Sequence, residues 1–405
     1  ENRKKNIRKI YLDYASGLKA NPSSIHAEGV KTKIKLQSAR KKISGILKAR
    51  PVEIIFTSGG TESNNLAIQG VVWAWREKIP ARNAYSIAIA GGSEKKLPHI
   101  ITTNIEHPSV LETCRMLKKR KLAEISIVPV EKNGIVDPKK IKKEIKENTA
   151  LVSVMYANNE IGTIQPIREI AGEIRHYNKN NRQDLFFNRS CLFHTDAVQA
   201  ANYLDLNVGK LGVDLLSLSG SKIEGAGRVG VLYKKKSAPI TAIFGGGDQE
   251  SGLRPGTENF PEILKFSEAL ESAQRIKEKE TKRLVRLRNH FFNKMRHSHI
   301  LKNVGMLFNG DLENRLPNNI NITFPKIPSD LLVIELSSKG VMASSKSACE
   351  SSRREGSYVI EAIRPESDPE IGGVRFSLGR ETSKADIDYT IGVLSKILLR
   401  LKKWK

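Results

Sequence analysis

The sequence predicts an α/β fold, with a mixed, mostly parallel sheet of seven strands flanked by helices and a smaller α+β domain after it. Short apolar segments rich in β-branched residues alternate with amphipathic helical segments, which is the pattern of such a sheet. A Gly-rich stretch, Phe244–Pro255, interrupts the alternation, and a long basic helical segment follows it. The chain has 405 residues, enough for two domains. We therefore expect a large domain over residues 21–257, then a connector helix and a small domain over residues 258–405.

The elements of the large domain follow from the length and spacing of its apolar segments. The predicted strands are Ile54–Thr57, His99–Thr103, Glu124–Pro129, Leu151–Tyr156, Cys191–Thr195, Leu215–Leu218 and Val229–Tyr233. The predicted helices between them are Thr61–Glu77, Ser109–Lys119, Pro138–Lys146 and Ile167–Tyr177.

The connector helix is predicted from about Glu262 to Met295, because apolar residues such as Ile263, Phe266 and Leu270 recur near helical spacing. The small domain has fewer elements. In chain order they are strand Asn319–Thr323, helix Ser329–Leu336, a Ser-rich loop from Ala343, strand Gly373–Ser377 and a closing helix from Lys384.

The composition indicates a globular protein and gives no sign of a membrane span, a disulfide framework or a zinc site. Hydrophobic residues make up 39% and charged residues 27% of the chain, as expected for a globular protein with a substantial core. No apolar run approaches the roughly 18 residues of a membrane span, and the basic N-terminus leads into Tyr11–Tyr14 rather than an apolar signal segment. We therefore expect a cytoplasmic protein with no membrane association. Its three cysteines, Cys114, Cys191 and Cys349, are too few for a disulfide framework, and none has zinc-binding spacing.

The net charge of +25 makes nucleic-acid binding an alternative function. The positive charge is spread along the whole chain without interleaved aromatic residues, and no helix-turn-helix, RRM or zinc-finger pattern accompanies it. Lysines on solvated helix faces are the commoner explanation for such a distribution. Direct nucleic-acid binding is therefore a secondary hypothesis.

Residues 57–63, which join a predicted strand to a predicted helix, could bind a phosphate. Gly59 and Gly60 let the backbone pass close to a ligand, and Thr61 offers an N–H and a hydroxyl. The N-terminus of the following helix adds further N–H donors and a positive dipole end. The same residues would also suit a tight turn with a helix cap.

Two other strand ends carry residues that could take part in catalysis or ligand binding. Lys222 follows an apolar strand and is flanked by Ser219 and Ser221, so it could form an imine with an aldehyde; an ordinary surface lysine is the alternative. Asp196 ends another strand and could hold a protonated ring nitrogen, or it could cap the next helix. Together with Gly60 and Thr61, these residues provide a phosphate site, an imine-forming lysine and a carboxylate in a plausible order on one sheet.

With these segments the chain resembles the cysteine desulfurases of the NifS and IscS kind, within the class V aminotransferase-like, fold-type I enzymes that use pyridoxal phosphate. The resemblance runs from Tyr11–Tyr14 to Arg375–Arg380. The matching segments between these ends are Asn21–His26, Phe56–Asn65, Glu106-His107, Asn158–Gly162, Asp196–Gln199, Ser219–Lys222, Gly245–Gly247 with Arg254–Thr257, and Ser344–Cys349. The resemblance implies the pyridoxal-phosphate transferase fold of type I, with residues 1–20 as an arm of the small domain.

The resemblance implies that Lys222 carries pyridoxal phosphate as a Schiff base and shuttles protons. His107 would stack on the ring and also move protons, while Asp196 would pair with the ring nitrogen. The other implied cofactor ligands are Asn159 and Gln199 for the phenolic oxygen, and Gly60, Thr61, Ser219 and Ser221 for the phosphate. Ser221 stands where the family usually has His.

The resemblance also implies a substrate and partners. L-Cysteine would be held by Arg375 and Asn159, and its sulfur would pass to Cys349 as a persulfide, leaving L-alanine. No metal would be resident, although Cys349 could transiently contact an iron–sulfur cluster. Thr257 would reach the phosphate of the other subunit in a homodimer. The sulfur acceptor would be an iron–sulfur scaffold protein or a tRNA-thiolating enzyme.

Three alternative functions stay open at this point. A selenocysteine lyase would use the same fold and cofactor. Another class V enzyme, such as an aminotransferase, would not need Cys349. A basic protein associated with nucleic acid, on a degenerate version of the scaffold, would bind without the cofactor.

Overall fold

The chain folds around two β-sheets. The structure is a computed structural model that describes residues 10–17, 21–77, 96–180, 190–298, 304–345, 356–366 and 371–402. The larger sheet has the strand order β1-β7-β6-β5-β4-β2-β3. Its strands are β1 (Ile54–Thr57), β2 (His99–Thr103), β3 (Glu124–Val128), β4 (Thr149–Ser153), β5 (Leu192–Asp196), β6 (Leu215–Ser219) and β7 (Gly230–Lys234). Strand β7 is antiparallel to β1 and β6, and the other pairings are parallel. The predicted fold class is confirmed.

Helices lie between these strands along the chain. They are α1 (Ala27–Leu47), α2 (Gly60–Glu77), α3 (Pro108–Lys119), α4 (Pro138–Glu144), α5 (Ile167–Asn180) and the short α6 (Val208–Leu211). Local sequence explains where two of them start. His107 caps α3 and Asp137 caps α4, and each cap precedes a proline, whose fixed φ and missing N–H suit the first helical position.

The remaining elements begin with the long connector helix α7 (Phe260–His297). They continue with β8 (Leu307–Phe308), β9 (Asn319–Thr323), α8 (Ser329–Ser337), α9 (Tyr358–Ile363), β10 (Val374–Ser377) and α10 (Lys384–Lys402). Strands β10, β9 and β8 form a small antiparallel sheet.

Helix α7 contributes to two separate hydrophobic cores. Ile263 and Phe266, near its start, pack in the core that includes strands β4 to β7 of the large sheet. Leu284 and Phe291, about five turns or more further along the helix, pack with the small sheet. The predicted division near residue 257 stays a prediction, because the helix that follows it belongs to both cores.

Some helices and strands differ from those predicted from the sequence. Helix α1 was not predicted, and its buried positions explain why, since Thr32, Arg40 and Ser44 face inwards among the apolar residues. Arg40 is held there by a buried ion pair with Glu250 at 2.6 Å. Helix α9 was also missed, although Val359, Ile360 and Ile363 pack in the core of the large sheet. Strand β4 ends at Ser153, earlier than predicted, where the chain turns into the site described below.

The N-terminal arm contacts the region just before α1. The carboxylate of Asp13 accepts hydrogen bonds from Ser16 and Ser24 and lies 3.1 Å from Nε2 of His26. Its predicted membership of the small domain stays a prediction. Across the described part of the chain, no helix combines the length and apolar character that a membrane crossing requires.

Candidate active site

The topology gathers the candidate residues at one edge of the large sheet. Strands β1, β2, β4, β5 and β6 share one direction, since β1 and β6 both run antiparallel to β7 and the others are parallel to β6. Their carboxyl ends therefore meet at the same edge, which is where open α/β sheets bind ligands. The residues that follow these ends are Gly60 after β1, His107 after β2, Asn159 after β4, Asp196 at the end of β5, and Lys222 after β6.

Asp196 is fixed by two donors and keeps free acceptor capacity. Its side chain accepts from the backbone N–H of Val198 at 3.0 Å and from Nδ2 of Asn64 at 2.8 Å. The residue is only 5% exposed. A carboxylate has about four lone-pair positions, so Asp196 can still accept a hydrogen bond from a cationic ring nitrogen.

His107 is oriented by the start of α3. Its Nδ1 accepts the backbone N–H of Ser109 at 3.1 Å and lies 2.8 Å from the Ser109 hydroxyl. Burial lowers the pKa of His107 below its usual value; Asp196 opposes this shift and Lys222 adds to it. The electrostatic influence of both residues on the imidazole is consistent with a shared site.

The candidate phosphate ligands come from the starts of α2 and of the turn after β6. An added Cβ on Gly60 would meet Cγ2 of Val198 at 2.9 Å and Cβ of Ser219 at 3.2 Å, so glycine is required for this close approach. The hydroxyls of Ser219 and Ser221 lie 3.0 Å apart. The first turn of α2 leaves backbone N–H groups unpaired. Thr61, Ser221 and Lys222 are exposed at this edge.

Arg375 links the small sheet to the loop after β4. Its Nη1 donates to the backbone oxygen of Asn159 at 3.0 Å. Burial lowers the pKa of Arg375, and Glu160 opposes the shift. Oδ1 of Asn159 is buried without a hydrogen-bond partner among the described residues. Gln199 is half-buried, on the turn that follows Asp196.

Thr257 is exposed on the segment that follows the Gly-rich stretch. The same segment is tied to the start of α2, because Nε of Arg254 donates to Oε1 of Glu62 at 2.9 Å. This contact holds the segment beside Gly60 and leaves the Thr257 side chain exposed.

Cys349 lies outside the described residues, but both flanks of its segment, residues 346–355, are anchored at the site. On the N-terminal side, Ser344 and Arg375 exchange backbone hydrogen bonds at 2.6 and 3.1 Å. On the C-terminal side, the Ser357 hydroxyl donates to Oε2 of the buried Glu160 at 2.5 Å. Arg375 in turn donates to the backbone of Asn159, so both flanks are connected to the adjacent residues Asn159 and Glu160.

Several residues of the site were not predicted from the sequence. Asn64, Ser109, Glu160 and Ser357 hold the predicted residues or the loop flanks through hydrogen bonds, and the Glu106 carboxylate accepts the backbone N–H of Met155 just after β4. Asn64, Glu106 and Glu160 fall inside segments that carried the family resemblance, and that was their one available signal. Nothing in the sequence around Ser109 or Ser357 marks them.

The fold and the grouped residues define a class of protein, and comparisons with known proteins agree with it. Residues 3–390 match the family described as Aminotransferase class-V. The chain is 40% identical to the protein named cysteine desulfurase IscS of Dictyoglomus turgidum, over 98% of this chain and 96% of that one.

Solved structures agree with this assignment. A NifS-like protein, 32% identical, superposes with a TM-score of 0.78 over 95% of this chain and 93% of its own. The structure of SspA in complex with cysteine, 30% identical, has a TM-score of 0.67 over 90% of this chain and 92% of its own. The chain therefore belongs to the class V aminotransferase family and, within it, to the cysteine desulfurases, which are pyridoxal-phosphate enzymes. The predicted family and enzyme class are confirmed.

Proposed function

We propose that this protein is a cysteine desulfurase that converts L-cysteine to L-alanine and leaves the sulfur as a persulfide on Cys349. The observation that carries the proposal is the convergence of Gly60, His107, Asp196 and Lys222 on one sheet edge of a chain from this family. The relative solved with cysteine supports L-cysteine as the substrate class.

The residues present fit pyridoxal phosphate. The close packing of Gly60 against Ser219 leaves no room for a larger side chain where the phosphate would lie near backbone N–H groups. Asp196 keeps an unused acceptor for a protonated pyridine nitrogen. Lys222, on the same edge, would carry the group. When bound, pyridoxal phosphate supplies an electron sink for bonds broken at the substrate.

The protein's own residues bind the substrate and manage protons. Arg375 would grip the substrate carboxylate through its planar guanidinium, which suits a bidentate contact. Its hydrogen bond to the backbone of Asn159 fixes the orientation of that guanidinium. Asp196 keeps a bound ring nitrogen protonated by pairing with it, and His107 lies within electrostatic reach of both Asp196 and Lys222.

Sulfur transfer requires the thiolate of Cys349. The thiolate attacks the substrate sulfur, a sulfur–sulfur bond forms, and the carbon–sulfur bond breaks with its electron pair staying on the carbon side. That carbon takes up a proton, and L-alanine leaves. Lys346, Arg353 and Arg354, close to Cys349 in sequence, would favour the thiolate electrostatically.

The proposal includes a homodimer in which Thr257 reaches the phosphate held by the partner subunit. Exposed apolar side chains just before and within α1 and in the Gly-rich stretch support it: Ile25 is 96%, Ile34 64% and Phe244 55% exposed. The persulfide would then pass to an acceptor protein, either an iron–sulfur scaffold or a tRNA-thiolating enzyme.

The absorbance spectrum of the purified protein tests the cofactor assignment. We expect a visible band after addition of pyridoxal phosphate that is lost in Lys222→Ala. A colourless wild type that takes up no added cofactor would refute the proposal.

Mass spectrometry after incubation with L-cysteine and alkylation tests the sulfur step. We expect a persulfide on Cys349 and none in Cys349→Ser, which should keep the absorbance band. Cys114→Ala is the matched control, because burial raises the pKa of Cys114 to about 12 and leaves its thiol unreactive. Sulfide release that is unchanged in Cys349→Ser would remove Cys349 from the mechanism.

A further inference from the structure

A buried chain of hydrogen bonds runs from Asp196 to His107 through Asn64 and Ser109. Nδ2 of Asn64 lies 2.8 Å from Oδ2 of Asp196 and 2.8 Å from the hydroxyl of Ser109. That hydroxyl lies 2.8 Å from Nδ1 of His107, and the backbone N–H of Ser109 reaches the same nitrogen at 3.1 Å. Asn64 is 1% and Ser109 8% exposed, so bulk water does not compete for these bonds.

The direction of each bond follows from what each group can do. An ionised Asp196 can only accept, so it faces the NH2 group of Asn64. The second hydrogen of that NH2 points to the Ser109 oxygen. The hydroxyl, now accepting from Asn64, has one proton left to donate, and Nδ1 of His107 is its neighbour. The backbone N–H of Ser109 can only donate, so Nδ1 must be an acceptor.

A nitrogen that accepts two hydrogen bonds carries no proton, so a neutral His107 must hold its proton on Nε2. The low pKa of His107 keeps the ring neutral near pH 7; burial is the main cause, Lys222 acts in the same direction and Asp196 opposes it. Moving the proton to Nδ1 would remove the cap of α3 and leave a buried N–H without its acceptor. Nε2 makes no hydrogen bond to any residue that the structure describes and is available for the reaction.

We infer that Ser109, oriented by Asn64, is a positioning residue that holds His107 as the Nε2–H tautomer, so that His107 enters the reaction as a proton donor and not as a base. The inference rests on the proposed function and makes it more specific. The first proton that the substrate loses must then go to another group. His107 can accept a proton at Nε2 only after it has given one up.

Nitrogen-15 NMR of histidine-labelled, cofactor-loaded protein tests the tautomer directly. The chain has eight histidines, and His107→Gln identifies the signal of interest. We expect a protonated Nε2 and an unprotonated Nδ1 near neutral pH. A wild-type His107 with its proton on Nδ1 overturns the inference. This readout needs no turnover, so it stands apart from a failure of the proposed function, which would appear as absent sulfur release from L-cysteine.

The same spectra test the positioning role. Ser109→Ala removes one donor to Nδ1 and should raise the NMR titration midpoint of His107 by about half to one pH unit. Asn64→Ala should shift it the same way, and Ser109→Thr, which keeps the hydroxyl, should not. Ser109→Ala should also lower kcat about ten-fold with the KM for L-cysteine changed less than about two-fold. An unchanged midpoint and kcat in Ser109→Ala overturn the role of Ser109.

Discussion

Ser357 donates its hydroxyl proton to the carboxylate of Glu160 at 2.5 Å, although the two residues are 197 positions apart in the chain. The same hydroxyl accepts the backbone N–H of Ile360 at 3.2 Å and so caps helix α9. One side chain therefore starts a helix and fixes it to the loop that also contacts Arg375. Because the segment containing Cys349 ends just before Ser357, this bond fixes one end of that segment relative to the site.

Ser357→Ala should lower the free energy of unfolding by about 1–2 kcal/mol, since both the helix cap and a buried hydrogen bond are lost. We also expect slower formation of the Cys349 persulfide with normal cofactor absorbance. Urea unfolding and quenched-flow alkylation measure the two effects. Ser357→Thr keeps the hydroxyl and should behave as wild type. Equal persulfide rates in Ser357→Ala and wild type would contradict the positional effect.

Arg375→Lys should raise the KM for L-cysteine by about 10- to 100-fold, because a lysine cannot reproduce the bidentate contact with a carboxylate. Steady-state kinetics with the cofactor band monitored in parallel checks this. Arg364→Lys is the control, since Arg364 donates instead to Asn309 and the backbone of Phe308 and should leave KM unchanged. An Arg375→Lys variant with wild-type KM would exclude Arg375 as the carboxylate ligand.

Gly60→Ala should weaken binding of pyridoxal phosphate by about ten-fold or more, because the new methyl group would crowd Val198 and Ser219. Equilibrium dialysis or fluorescence titration of the cofactor-free protein gives the affinity. In Gly45→Ala the added Cβ meets nothing within 4 Å, so this variant should bind normally and gain about 0.5–1 kcal/mol in helix stability. Equal affinities in the two variants would argue against a phosphate beside Gly60.

The raised pKa of Glu106 leads us to expect that the stability of the protein depends on pH in a particular way. Burial raises its pKa to about 8, against hydrogen bonds donated by Thr103 and Met155. Between pH 4.5 and 8 the unfolded chain therefore has an ionised Glu106 while the folded chain keeps the proton, and folding takes a proton up. Stability contributed by this group must fall as the pH rises through that window, by up to about 1.4 kcal/mol per pH unit.

Glu106→Gln removes the titrating group and keeps its shape. The difference in unfolding free energy between pH 5.5 and 7.5, measured in urea, should be smaller in the variant than in wild type. Other titrating groups are common to both proteins and cancel in the comparison. A variant with the same pH dependence as wild type would mean that Glu106 is ionised in the folded protein.

The sequence predicted the strands of the large sheet within a few residues because all of them except the edge strand β3 are almost fully buried on both faces and are therefore mostly apolar. It missed α1 because polar residues such as Arg40 face the core there, and the reason, the ion pair with Glu250, lies far away in the chain. The candidate site likewise has residues that local sequence patterns locate and residues that only distant contacts explain. Asp196 and Lys222 stand at strand ends that local patterns locate, whereas Asn64 and Ser109 matter only through contacts that the fold creates.

Helix α7 passes without interruption from the core that holds Ile263 and Phe266 to the core that holds Leu284 and Phe291. Because helix formation is cooperative, loss of helical turns in one core weakens the helix where it continues into the other core. The two cores are thus joined by a continuous helix as well as by hydrogen bonds such as that of Arg375 to the backbone of Asn159. We therefore expect a helix-breaking substitution between Phe266 and Leu284 to disturb both the small sheet and the sheet that carries Asp196 and Lys222, with the hydrogen bond from Arg375 to Asn159 as a remaining link between them.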